Sequence, residues 1–375
     1  MTIEKILVTG GAGFIGSHLV RRLRESALPV RVFDNFEAQV HGERPLRRWR
    51  ADGTEYLDGD VASPEACQEA LEGISHVVHF AAAVGVGQSM YAVRQYCETN
   101  VMGTASLLQA IIDIKPQIKK LLVASSMSIY GEGLYECSRC KGYQQDSYEH
   151  REDLHHSGWD PICSNCGSIM FALPTPEIKG LQPTSVYAVN KRDQEELCLV
   201  VGRAHEIPSV ALRFFNVYGP GQALSNPYTG VAAIFAARLL GGQPPLIFED
   251  GEQSRDFIHV EDVARACTRA VTSDEVSDVS LNIGTGYPTT VNELAAGLRG
   301  EMSGPAPEIL GTHREGDIRH CYADIGQARK VLDWEPVIRF EEGLGDLVRW
   351  VREQVDVRDG VSTAVAELSS HGLIS

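Results

Sequence analysis

The chain has 375 residues, with 34 Lys and Arg against 50 Asp and Glu, a formal net charge of −16. Its 43% hydrophobic content supports an ordinary core and excludes a disordered or fibrous chain; the length suits two domains, or one large α/β unit with an elaboration. The acidic balance argues against nucleic acid or an anionic membrane surface as the main partner, while leaving room for a small phosphorylated ligand held by a few local cations.

The first residues, Met1–Gly11, lack the basic flank and long apolar core of a signal peptide. No run of about 18 apolar residues reads as a membrane span, so a cytoplasmic location is expected. Short β-branched runs predict strands at Lys5–Thr9, Val30–Asp34, Glu55–Leu57, His76–Ala81, Lys120–Ser125, Ser209–Phe215 and Ser280–Ile283. Most are near-continuously apolar, as strands buried on both faces of a parallel sheet are. Helical patterns fall between them, at Ser17–Glu25, Pro64–Leu71, Gln88–Ile114 and Val186–Ala204. This alternation predicts an α/β fold, a Rossmann-type doubly wound parallel sheet. After Asn216 Gly and Pro become frequent, which suggests a smaller, loop-rich region. A helix is expected over Phe340–Val355, and Val357–Ser375 reads as a helical flap or a frayed tail.

Gly10-Gly11-Ala12-Gly13-Phe14-Ile15-Gly16 follows the first strand and opens a helix. Such a turn lets a pyrophosphate approach the free N–H groups of the helix N-terminus. Asp34 ends the second strand, 18 residues after Gly16, where a carboxylate can bind the adenosine ribose and would repel a 2′-phosphate. NAD is therefore the expected cofactor. Tyr187-Ala188-Val189-Asn190-Lys191 places a phenol and an ammonium on one helix face. The ammonium and an oxidised nicotinamide are expected to lower the phenol pKa and make a base. Ser126, at the end of the fifth predicted strand, is placed to hydrogen-bond the reacting oxygen.

With these residues the sequence resembles the extended short-chain dehydrogenases/reductases, specifically the NAD-dependent sugar-nucleotide epimerases and dehydratases, from about Lys5 to Leu344 apart from one insertion. The resemblance implies Ser126, Tyr187 and Lys191 as catalytic residues. It implies cofactor contacts from Gly10, Gly13, Phe14, Ile15, Gly16, Asp34 and Asn35, from Asp60 and Val61 near adenine, and from Phe80, Ala81, Ala82, Asn100, Tyr187 and Lys191. It assigns the substrate to Ser126, Ser128, Asn216, Arg255 and Arg314, with Asn216 and the two arginines on its diphosphate. In dehydratases of this family an Asp and a Glu occupy the positions of Met127 and Ser128, and decarboxylases tend to carry Glu at the latter. Without that acid–base pair, elimination lacks a proton shuttle. What remains is C4 oxidation and re-reduction, a 4-epimerase that retains NAD tightly. Asp34–Gly42, Ala83–Tyr91 and Ala223–Val260 resemble the dTDP-L-rhamnose 4-epimerase subgroup, whose sugars are dTDP-L-rhamnose and dTDP-6-deoxy-L-talose. A UDP-hexose or UDP-uronic acid 4-epimerase, a 4-ketosugar reductase and a dinucleotide-sensing scaffold stay open as alternatives. The resemblance also implies a homodimer through the Gln88–Ile114 and Val186–Ala204 helices.

Cys137-x-x-Cys140 and Cys163-x-x-Cys166 are 22 residues apart. Two such knuckles form a tetrathiolate zinc site in zinc ribbons, and four sulfurs leave no open position for catalysis, so a structural zinc is expected. Over Tyr135–Leu173 three bases oppose six acids, which disfavours nucleic acid. Ser126 and Tyr187 are 61 positions apart, against roughly two dozen in the family, so the insertion emerges beside the site and is expected to wall the pocket or support a subunit contact. His150, His155 and His156 read as solvated loop residues. Cys67, Cys97, Cys198, Cys267 and Cys321, together with His259, read as structural. The expected organisation is an NAD-binding domain over 1–212 with 256–285 returning to it, the zinc-ribbon-like insertion over 134–173, a smaller α/β substrate domain over 213–255 and 286–356, and a tail over 357–375.

Overall fold

Seven parallel strands carry the molecule: β1 (Ile6–Thr9), β2 (Val30–Asp34), β3 (Glu55–Asp58), β4 (His76–His79), β5 (Lys120–Ser126), β6 (Ser209–Phe214) and β7 (Val279–Ile283). The computed structural model describes residues 3–42, 54–114, 118–144, 158–355, 357 and 359–374. The strand order β7-β6-β5-β4-β1-β2-β3 reverses direction at β1, where a doubly wound sheet opens its ligand crevice. All seven predicted strands are present, each within two residues of its predicted ends.

The main helices are α1 (Phe14–Glu25), α2 (Pro64–Ala70), α3 (Gly103–Ile114), α4 (Val186–Ala204), α5 (Val231–Leu240), α6 (Val260–Thr272), α7 (Val291–Met302), α8 (Phe340–Arg352) and α9 (Val361–Ser370). Strand side chains alternate between the two faces of the sheet. Ile6, Val8 and Leu122 pack on one face with Leu19 of α1 and Val263 of α6. Leu7, Val77 and Leu121 pack on the other with Leu107 of α3 and Cys198 of α4. Burial on both faces is why these strands read as unbroken apolar runs. A third cluster joins Phe235 of α5, Leu294 of α7 and Leu347 of α8 around Phe257, beside the carboxyl ends of the strands.

The single helix expected over Gln88–Ile114 is broken. The chain runs through short turns at Val86–Ser89 and Val93–Tyr96 and a widened, π-type turn at Cys97–Met102 before α3 begins. The widening swings Asn100 inward, where its side chain bonds both backbone groups of Ala83 at 2.7 and 3.1 Å. Such bulges serve to redirect a side chain. No helix among the described residues is long and apolar enough to cross a membrane.

The insertion forms a small antiparallel sheet, Leu134–Glu136 flanked by Tyr143–Gln144 and Phe171–Leu173, over a core of Tyr135, Cys137, Cys163 and Met170. His150, His155 and His156 lie outside the described residues. His259 is a buried cap of α6: its Nδ1 accepts from Glu261 N at 3.3 Å. Burial pushes the thiols of Cys67, Cys198 and Cys321 up to about 12 and that of Cys267 higher, leaving them inert packing groups.

A buried ion pair fastens α4 to the sheet. Arg213 of β6 meets Glu195 at 2.6 Å, with side chains 6% and 4% exposed, and also donates to Tyr130 Oη and Glu177 O. Removing the carboxylate strands a guanidinium in the core. Glu195→Ala is expected to lower the unfolding free energy by about 3 kcal/mol or more, read as a lower urea midpoint.

Candidate active site

A cleft of about 600 Å³ runs along the carboxyl ends of the strands, from the glycine turn to α9. At one end the first turn of α1 is packed tightly against the sheet. Gly10 holds φ +66°, and a Cβ there would lie 2.7 Å from Ala81 N; a Cβ on Gly16 would lie 2.3 Å from Gly10 O. Gly13 faces only Gly10 O at 3.3 Å and lines the cleft with Phe14 and Ile15. Asp34 braces this end: its carboxylate accepts from Ala12 N at 3.0 Å and Phe36 N at 2.9 Å. Beyond it Asn35 donates to Asp60 at 3.1 Å, beside Val61. Phe80, Ala81 and Ala82 line the floor. Asn100 does not line the cleft; it stands one residue behind, fixing Ala83.

Ser126, Tyr187 and Lys191 meet at the middle of the cleft. Ser126 ends β5, and its Oγ accepts from Ser128 N at 3.2 Å and Ser128 Oγ at 2.9 Å. Tyr187 opens α4, whose N-cap is Ser185, and its N–H donates to Ser89 Oγ at 3.0 Å. Lys191 Nζ donates to Ala124 O at 3.0 Å, tying the helix to β5. Burial pushes the Tyr187 phenol up to about 12, opposed by its hydrogen bond to Ser126, and pushes the Lys191 ammonium down to about 8. In the protein's own groups desolvation dominates the Tyr187 phenol, and a positive charge bound in the cleft would act in the opposite direction.

Asn216, Arg255 and Arg314 line the far half of the cleft. Arg255 donates from Nη1 to Ser254 O at 2.9 Å and Arg319 O at 3.0 Å, and from Nη2 to Ile318 O. Arg314 pairs with Asp317 at 2.7 Å and lies 5.4 Å over the Phe248 ring. Three polar atoms of the lining are buried without a partner: Ser125 Oγ, Asn216 Oδ1 and Gln253 Oε1. Such atoms are costly unless something bonds them, so the cleft fits a polar ligand.

Sequence reading left two parts of this site unassigned. Ser89 was one. The other is α9: of the two readings of the tail, the helical one holds, and the helix lays Val361, Ala364, Val365 and Leu368 along the cleft. Glu367 accepts from Tyr91 and Tyr228 at 2.8 and 2.5 Å, and His371 stacks on Tyr91 at 4.7 Å. The i, i+3, i+4, i+7 spacing of those four apolar residues is the signal that could have found this helix.

In the insertion, all four cysteine Sγ atoms lie within 4.8 Å of one another, with Cys137–Cys166 at 3.5 Å and Cys140–Cys163 at 3.9 Å. Tetrahedral zinc with bonds of about 2.3 Å would set its sulfurs about 3.8 Å apart, so the donor set fits that metal. Left-handed residues Lys141 and Gly167 turn each knuckle.

The chain matches the NAD dependent epimerase/dehydratase family over residues 6–151 and 168–284 and belongs to it. The dTDP-L-rhamnose 4-epimerase of Burkholderia thailandensis is 32% identical over 94% of this chain and 96% of its own length. A UDP-glucose 4-epimerase from Thermotoga maritima, solved with UDP-glucose, superposes with a TM-score of 0.75 at 30% identity, covering 93% of this chain and 99% of that one. The Thermus thermophilus UDP-glucose 4-epimerase, solved with NAD, gives 0.74 at 28% identity over 94% and 100%. The chain is accordingly an enzyme of the isomerase class.

Two outcomes follow from this geometry. Lys191→Met is expected to raise the unfolding free energy of the protein alone at pH 7, by removing a buried ammonium. The lysine's folded pKa, about 8, lies below its ordinary 10.5, so the wild type recovers stability as pH rises between those values and the difference closes by about pH 10.5; urea titrations at pH 7 and 10.5 check this. Replacing both Cys163 and Cys166 with Ser is expected to abolish zinc in elemental analysis and lower the melting temperature by about 5 °C.

Proposed function

We propose that this chain is a nucleotide-sugar 4-epimerase working through retained NAD, with dTDP-L-rhamnose and dTDP-6-deoxy-L-talose as its sugars. The carrying observation is the meeting of Ser126, Tyr187 and Lys191 in a cleft without an acid–base pair beside them. The lining carboxylates are Asp34, Glu37, Asp60 and Asp317; the first three flank the ends of β2 and β3, and the last is paired with Arg314. Among the described residues, no lining carboxylate stands beside Ser126 in the chain to serve an elimination of water.

When bound, NAD supplies a hydride acceptor, then a donor, and the positive charge that lowers the Tyr187 phenol. Its fit rests on the Gly10–Gly16 turn, Asp34, Asn35, Asp60 and Val61, and on the floor at Phe80–Ala82. Tyr187 phenolate takes the C4 hydroxyl proton while Ser126 and Ser128 hold the same oxygen. With the 4-keto sugar turned over, the opposite face of C4 would meet the hydride donor, and Tyr187 returns the proton to the C4 oxygen. Lys191, held by Ala124 O, keeps positive charge beneath the phenolate. Asn216, Arg255 and Arg314 hold the diphosphate, so the sugar can rotate without leaving.

A neutral 6-deoxy sugar is supported by two features. Among the described residues, the Lys and Arg side chains of the lining are Lys191, Arg255 and Arg314, and none of these described residues is left over for a C6 carboxylate. Leu368 of α9 packs over Gly87, giving an apolar wall where a methyl group is tolerated. The kinship with UDP-glucose 4-epimerases keeps UDP-hexoses as the second reading. We also assign a structural zinc to the four cysteines, and a homodimer to the helix faces that expose Met102, Val189 and Val200.

Incubation with a panel of dTDP- and UDP-sugars, without added NAD, is expected to give C4 inversion by product NMR, fastest with dTDP-L-rhamnose. Tyr187→Phe should lower kcat at least about a thousandfold with nucleotide-sugar binding retained. A stable 4-keto-6-deoxy product would replace the epimerase reading with a dehydratase.

A further inference from the structure

None of the described residues of the cysteine insertion lines the cleft. Its contacts lead elsewhere. Tyr135 stands in the insertion core, packed with Cys137, Cys163 and Met170, and is fully buried. Its hydroxyl donates to Glu132 Oε2 at 2.5 Å and accepts from His320 N at 3.1 Å. Glu132, itself buried, accepts from Arg319 N at 2.5 Å and His320 N at 3.2 Å. The insertion grips the same segment a second time: Asp160 meets the buried Arg319 guanidinium at 3.0 Å, alongside Glu249 and Asp250.

The other side of that segment faces the cleft. Ile318 O and Arg319 O are two of the three carbonyls that hold the Arg255 guanidinium. Three of its donors are spent on backbone, and two of the five a guanidinium carries are left for a ligand. A fork held this way has one orientation. If the 318–320 backbone relaxes, the guanidinium regains rotamers and its aim is lost.

We propose that the insertion is a positioning element for the diphosphate site, with Tyr135, Glu132 and Asp160 fixing the backbone of residues 318–320 and through it the guanidinium of Arg255. This rests on the reading of Arg255 as a diphosphate ligand. It accounts for an insertion fastened beside the site whose described residues do not line it. Tyr135, Glu132 and Asp160 act through Arg255 and touch no substrate.

The test compares dTDP with thymidine, and UDP with uridine, by calorimetric titration of the full-length, metal-loaded enzyme. Tyr135→Phe keeps the ring in the insertion core and removes the hydroxyl. It is expected to weaken nucleoside diphosphate binding about five- to tenfold and to leave nucleoside binding unchanged. In turnover it should raise KM by a similar factor, with kcat within about twofold. Asp160→Asn, a partly exposed position, should act in the same direction and serves if the first variant folds poorly. Arg255→Gln should weaken the diphosphates at least as much, and adding Tyr135→Phe to it should cost nothing more. If Arg255→Gln alone leaves diphosphate binding intact, or neither diphosphate binds the wild type, the reading of Arg255 fails, and the inference with it. If Arg255→Gln weakens binding but Tyr135→Phe and Asp160→Asn do not, the positioning role alone is overturned. Equal losses for nucleoside and diphosphate, or losses that add to those of Arg255→Gln, would also overturn it.

Discussion

Two ionisable side chains, Lys191 buried and Tyr187 partly so, are drawn out of water at the centre of this protein. Burial works against the charged forms of both, raising the Tyr187 phenol to about 12 and dropping the Lys191 ammonium to about 8. Everything around them offsets that cost. β5 ends so that Ala124 O receives the ammonium and Ser126 Oγ meets the phenol. α4 is capped by Ser185 and anchored to β6 by the Glu195–Arg213 pair, so the two side chains cannot retreat to solvent. A site left this way is poised for a positively charged ligand, which would lower the phenol and complete the charge balance.

The same constraint bears on the cations. In a chain with net charge −16, the Lys and Arg side chains among the described residues of the lining are Lys191, Arg255 and Arg314. The two arginines are held differently. Arg314 is balanced by Asp317, an ion pair whose partner can be exchanged for another anion. Arg255 is held by neutral carbonyls, which fix its direction without cancelling its charge.

The sheet was legible in the sequence because burial on both faces writes an unbroken apolar run into each strand, and every predicted strand is present. The glycine turn, Asp34, Ser126, Tyr187 and Lys191 were legible because each sits at the carboxyl end of a strand or in the first two turns of a helix that opens at the cleft, where local chemistry and position coincide. The path from Val86 to Ile114 was not. Its apolar periodicity is helical, but Asn100 prefers the two backbone groups of Ala83 to a regular helix, and that long-range exchange leaves no periodic trace. The contacts joining Tyr135, Glu132 and Arg319 were equally invisible, since they link residues nearly two hundred positions apart through backbone atoms. The desolvation of Tyr187 was not legible for a related reason: spacing reveals a neighbour but not the loss of solvent.

The cleft is finished by α9, whose Leu368 sits against Gly87 and whose Glu367 ties Tyr91 to Tyr228. Strands β1 to β5, which cradle one half of the cleft, precede that helix by more than half the chain. During synthesis they leave the ribosome long before it. The glycine-turn half of the cleft is therefore written into the chain well before the helix that closes the other half, so the two halves are separable in time.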